Sequence, residues 1–154
     1  MIENLTKEQE KLLQVYADKW ISRGLSTDQN VTEKDCERAV ELVSKLVLEP
    51  GDPELKGYVL CDSPFEISKK VDSNAFLSES FYGNLEASWL SFFDYCKTVL
   101  GVKISEEFEY FKELSDNFCW IFVSRKDLKV YLSRKPVEIH MNNGVLHKIG
   151  RAHV

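Results

Sequence analysis

Just after Asn117 the apolar residues of this chain change their spacing, and that change limits the folds open to it. Up to Asn117 they recur mostly at intervals of three and four, the period of an amphipathic helix. From Cys119 onward they fall in short runs of β-favouring residues separated by turn-forming residues. A chain with helices first and hairpins last belongs to the α+β class. The spacing predicts a helical part over residues 5–117 and a β-hairpin part over residues 118–148 of a single domain.

Local signals mark the elements. Thr6-Lys7-Glu8-Gln9 is a capping box, in which Thr6 and Gln9 satisfy each other's amides. The helix that follows aligns Leu12, Leu13, Tyr16 and Trp20, and Gly24 ends it. Thr32, with Asp35 three residues on, opens a second helix carrying Cys36, Ala39, Val40, Val43, Leu46 and Val47, and Pro50-Gly51 stops it. Tyr58-Val59-Leu60-Cys61 reads as one short buried strand. It runs into a helix capped by Ser63, with Pro64 at the first helical position and Glu66 completing the box. A central helix is expected from Asn84 to Leu100, with an apolar face of Leu85, Trp89, Phe92, Phe93, Cys96, Val99 and Leu100 and a Gly101 cap. Another is expected from Ser105 to about Asp116, carrying Phe108, Phe111 and Leu114. Two hairpins follow, Cys119–Val123 with Lys129–Leu132 and Val137–Met141 with Val145–Lys148. Asn143-Gly144 marks the second turn, because a type I′ turn needs positive φ at both central residues.

Composition removes several classes of function. With 20 basic against 25 acidic residues the net charge is −5, which argues against a nucleic-acid partner. No stretch is long and apolar enough to span a membrane, and the N-terminus has no export signal. Cys36, Cys61, Cys96 and Cys119 form no Cys-x-x-Cys pair, so they read as buried thiols of a cytoplasmic protein. No cofactor motif is present. The final residues, Ile149-Gly150-Arg151-Ala152-His153-Val154, match the in-frame translation of a common sequencing-adapter string. We read residues 149–154 as adapter read-through and residues 1–148 as an incomplete domain, truncated at its C-terminus. On that reading the strand ending at Lys148 is an open edge, able to self-associate.

The sharpest chemical arrangement is on the last hairpin. A two-residue turn at Asn143-Gly144 sets His140 opposite His147, with Glu138 two residues away on the same face. Two imidazoles and a carboxylate could bind a metal or exchange protons, although a metal site needs further ligands. No catalytic motif accompanies them.

Three segments resemble a bacterial and phage family known only as a domain of unknown function. They are Tyr58-Val59-Leu60-Cys61-Asp62-Ser63-Pro64, the Tyr82-Gly83-Asn84-Leu85-Glu86-Ala87-Ser88-Trp89-Leu90-Ser91-Phe92-Phe93-Asp94-Tyr95 helix, and Arg134-Lys135-Pro136-Val137-Glu138-Ile139-His140 followed by Gly144-Val145-Leu146-His147. The resemblance implies the α+β shape but no activity. It singles out Trp89 and Asp94, each also readable as packing, and Lys135, which stands where that family has arginine. Together these features imply a non-enzymatic interaction or accessory module with an unknown protein partner. The competing expectation is a hydrolase or nuclease using His140, His147 and a carboxylate such as Glu138 or Asp94.

Overall fold

The computed structural model describes residues 4–72, 74–76, 79–143 and 145–150, the side chains of Tyr82, Leu85 and residues 146–150 excepted. The predicted caps open the helices. Helix α1 (Lys7–Gly24) starts at Thr6, whose hydroxyl accepts from the Gln9 amide (3.1 Å) while Gln9 accepts from the Thr6 amide (2.8 Å). Helix α2 (Glu33–Val47) starts with the same reciprocal pair between Thr32 and Asp35. Each such cap contributes about 1 kcal/mol. Helix α3 (Pro64–Lys70) is capped by Ser63, but the Glu66 carboxylate accepts from the Asp62 amide (2.6 Å), one residue further back than a capping box requires.

The four-stranded sheet has the order β1-β4-β3-β2. Strand β1 (Gly57–Cys61) runs parallel to β4 (Lys129–Arg134). Strand β3 (Phe118–Ser124) forms the predicted antiparallel hairpin with β4, turning at Leu128, whose φ is +57°. On its other side β3 pairs with β2 (Ser80–Tyr82), a three-residue strand that the spacing does not predict. The strand expected to be buried, β1, is a half-buried sheet edge instead, because β4 pairs on only one of its sides. Alternation along the strands divides the core between two faces. Ile121, Val123, Val130 and Leu132 pack on Cys36, Ala39, Leu42 and Val43 of α2 and on Leu114 of α5 (Glu107–Asn117). Phe122 and Tyr131 point the other way, onto Cys61 and Ile67, where Phe76 stacks on Trp120 at 5.3 Å.

A third cluster joins the helices, with Trp20 of α1, Leu90 of α4 (Ala87–Thr98) and Phe108 of α5 at its centre. The central helix thus begins three residues late, after a 3₁₀ turn at Asn84–Glu86, and ends with the Val102 amide reaching the Cys96 carbonyl (3.0 Å) across Gly101, φ +68°. Its fully buried residues are Leu90, Asp94 and Tyr95, whereas Phe92, expected in the core, is 62% exposed. A stripe at helical spacing identifies a helix but does not say which side a neighbour takes. Helix α1 shows the same effect: of its expected stripe only Trp20 is buried, and Leu12 and Leu13 are exposed.

The last hairpin, β5 (Glu138–Asn142) and β6 (Val145–Gly150), forms a separate two-stranded sheet. Asn142 faces Val145 and Met141 faces Leu146 as the turn predicts, but a bulge then sets His140 opposite Lys148. The pairing of His140 with His147 is therefore corrected: the additional residue in β6 shifts the register by one beyond Met141. Ile149 and Gly150 pair within this ladder, and residues 151–154 of the expected read-through lie outside the described residues.

Gly83 lies where β2 turns into the 3₁₀ turn, and a Cβ there would sit 1.7 Å from the Phe118 carbonyl oxygen. That oxygen belongs to backbone in a sheet and cannot step aside. Gly83→Ala is expected to cost more than about 3 kcal/mol in urea denaturation, beyond the usual range for overpacking. Gly57→Ala, with nothing within 4 Å of the new Cβ, is expected to stay within about 0.5 kcal/mol of the parent.

Candidate functional site

Helices α1 and α4 are joined by one buried carboxylate. Asp94 is 3% exposed and accepts hydrogen bonds from Trp20 Nε1 (2.9 Å), Lys19 Nζ (2.9 Å) and Thr98 Oγ1 (3.2 Å). The Lys112 ammonium of α5 lies 3.9 Å away. Burial opposes its ionisation, but the Lys19 and Trp20 hydrogen bonds and the Lys112 charge outweigh burial and hold the carboxyl below its ordinary value. Near the start of α1, the Tyr95 hydroxyl donates to the Gln9 carbonyl (2.7 Å) and Tyr16 meets Tyr95 edge to face. At its end, Asn84 Nδ2 donates to the Gly24 carbonyl (3.1 Å).

Along this pair runs an open groove of about 330 Å³, lined among others by Leu13, Tyr16, Ala17, Ser88, Ser91 and Phe92. None of its lining residues is charged. Leu13 and Phe92 are exposed on its walls, and Leu12, Val15 and Ile21 are exposed elsewhere on α1. The arrangement can cover apolar surface on another molecule. Its lining holds no carboxylate, imidazole, ammonium or thiol.

The residues expected from the sequence fall in three separate places. Trp89 is half-buried and packs edge to face against Phe93 and Phe111, so it lies in the helical cluster with Asp94 nearby on the same helix. Lys135 is buried where β4 leads into β5, and its Nζ donates to the Asp116 carbonyl (2.5 Å) and to Ser26 Oγ (3.4 Å). Burial pushes its ammonium below the ordinary lysine value, with Asp116 and Asp28 pulling the other way. Arg23 stands beside it, donating to the Lys112 carbonyl and to the Asp116 carboxylate. Both cations lie toward the carbonyl end of α5, where the helix dipole favours positive charge. Glu138 and His140 are on the last hairpin, with His140 Nε2 3.1 Å from Glu138 Oε2 and both side chains about half exposed. The backbone of His147 is in the bulged part of β6, and its side chain is outside the described set. Among the described residues no three His, Cys, Asp or Glu side chains stand close enough to hold a metal ion.

The groove was not apparent from sequence, because exposed apolar residues at helical spacing read as core. A weak signal was present: α1 carries apolar residues nearly all round, at Leu12, Leu13, Val15, Tyr16 and Ile21, more than one buried stripe needs.

Because the folded carboxyl of Asp94 titrates below its ordinary value of 3.8, its contribution is complete above 3.8 and is lost as pH falls through the depressed folded value. Asp94→Asn is expected to be less stable than the parent at neutral pH by about 1.5–3 kcal/mol. In urea melts the gap should narrow as pH is taken below 3.8; a gap that stays constant with pH would refute this role.

Comparison of the chain with family models, with curated proteins and with solved structures finds no match, so its function is argued from geometry.

Proposed function

We propose that this chain is a non-enzymatic protein-interaction module whose α1–α4 surface docks an amphipathic helix of a partner protein. The observation that carries the reading is the exposure of Leu13 and Phe92 on the walls of an uncharged groove between two helices already locked together. Covering a large apolar side chain stabilises by about 1.5–3 kcal/mol, so a few such contacts supply the driving force for docking. Two helices packed side by side leave a furrow that a third helix fills, with anchors at intervals of three and four residues. The uncharged lining, with hydroxyls at Ser88 and Ser91, calls for an apolar contact face bordered by neutral polar groups.

An accessory role in the cytosol of a bacterium or a phage-infected cell accords with the resemblance of the three sequence segments. Among the described residues Cys36, Cys61, Cys96 and Cys119 form no disulfide, as a reducing compartment favours. No described helix is long and apolar enough to cross a membrane. The competing reading, a hydrolase or nuclease centred on His140 and His147, has less support. The bulge sets Lys148 rather than His147 opposite His140, and Asp94 is engaged by Trp20 and Lys19 in another part of the fold.

A photo-crosslinking amino acid at Phe92, introduced in the native host, is expected to give one discrete protein adduct. The same label at Lys69, exposed on α3, should give none. Adding Leu13→Asp should weaken capture roughly tenfold, the effect of about 1.4 kcal/mol. Equal labelling from both positions, or an adduct at position 92 insensitive to Leu13→Asp, would refute the groove as the docking site.

A further inference from the structure

Strand β1 is an outer strand of the four-stranded sheet and pairs on one side only. Its residues, Gly57-Tyr58-Val59-Leu60-Cys61, carry no charge and no proline, and no bulge interrupts their ladder with β4. Those are the devices by which proteins usually keep an edge from pairing. Helices α2 and α3 pack against β1, on the opposite faces of the sheet set by the two core clusters, and the edge between them has no described strand beside it.

Which backbone groups this edge offers follows from the ladder. The Val123 amide donates to the Glu79 carbonyl and the Gly83 amide donates to the Cys119 carbonyl, both at 3.1 Å, so Cys119 and Val123 face β2. Trp120, Phe122 and Ser124 therefore face β4, opposite Ser133, Tyr131 and Lys129. Strand alternation then turns Val130 and Leu132 toward β1. In the parallel register, with Tyr58 opposite Val130 and Leu60 opposite Leu132, these two bond to the residues flanking their partners, Gly57, Val59 and Cys61. The N–H and C=O groups of Tyr58 and Leu60 are left pointing outward.

The charges beside the strand are self-complementary. Lys56 precedes it and Asp62 follows it, both exposed. Two copies aligned antiparallel about Val59 bring Tyr58 of each opposite Leu60 of the other, matching outward groups to outward groups. The same alignment puts Lys56 opposite Asp62 of the second copy at both ends. A parallel alignment would instead oppose like charges. We propose that β1 is a self-pairing edge through which two copies of this chain join antiparallel, making one eight-stranded sheet across a two-fold axis. This contact uses none of the residues of the α1–α4 groove and does not depend on that reading.

Sedimentation equilibrium of the full chain over a concentration series tests it. The parent is expected to show a reversible monomer–dimer equilibrium. Lys56→Asp sets like charges opposite each other at both ends and should raise the dissociation constant roughly tenfold or more. Asp62 also lies 3.6 Å from Arg134, so an unchanged amide spectrum checks that each variant keeps its fold. The double variant Lys56→Asp/Asp62→Lys should recover most of the lost association. A parent that stays monomeric throughout, a Lys56→Asp dimer as tight as the parent's, or a double variant no better than the single one would each overturn the proposal.

Discussion

The Asp94 carboxylate does more to set the shape of the helical part than any single apolar contact. A carboxylate this deeply buried survives as an anion only when donors and positive charge surround it: Trp20 and Lys19 of α1 and Thr98 of α4 itself donate, and the Lys112 ammonium of α5 lies 3.9 Å away. Those partners fix how α1 lies on α4. Trp20 is held at its indole nitrogen as well as by its ring, and Arg23 covers that ring at 4.1 Å. A helix attached in this way need not bury the rest of its apolar surface. Leu12, Leu13, Val15 and Ile21 can remain in solvent while α1 stays in place, which is how an exposed groove persists beside a fully packed cluster.

Beyond the apolar packing of α2 and α5 on the sheet, polar bonds to helix ends tie the elements together. The last carbonyls of a helix have no partner within it and must find one elsewhere. Asn84 reaches the Arg23 and Gly24 carbonyls at the end of α1, and Lys135 reaches the Asp116 carbonyl at the end of α5. Gln29 closes the same region by donating to the Lys135 carbonyl (2.8 Å). Lys135 therefore has a structural duty that accounts for its burial, and a basic residue before Pro136 makes sense without a ligand. Gly83 belongs to the same junction, since only a residue without a side chain lets the turn into the helical part approach Phe118.

What could be read in the sequence was what local chemistry decides. Thr6, Thr32 and Ser63 announce helix starts because the acceptor and the amide it serves are three residues apart, and Gly101 marks a helix end for an equally local reason. The β3–β4 hairpin was equally plain. What escaped was settled by distant neighbours. Strand β2 pairs because β3 lies beside it; Phe81 and Tyr82 favour strands, but a three-residue run is too short to announce one. Phe92 and Leu13 resemble core residues until the neighbours of their helices are known. The hairpin histidines fail for a subtler reason: Asn143 does adopt positive φ (+51°) and the first two pairs follow the expected register, but a bulge, which the sequence does not announce, displaces the third.

The sheet edges differ in ways that bear on which of them can find a partner. Strand β2 is only three residues long and offers little ladder to extend. Strand β5 carries Glu138, His140 and Asn142 in an exposed stretch, and charged or polar edge residues discourage pairing with another chain. The sequence alone pointed to the last strand, β6, as the open edge, yet β6 lies in a two-stranded sheet apart from the main one, so a strand added there would not extend the core sheet. Strand β1 combines an uncharged five-residue edge, outward backbone groups at Tyr58 and Leu60, and opposite charges just beyond its two ends. An edge without protection is ordinarily a liability. Charges that favour only the antiparallel alignment turn it into a contact that closes after two copies, because each copy's β1 edge is then used and no further strand can add there.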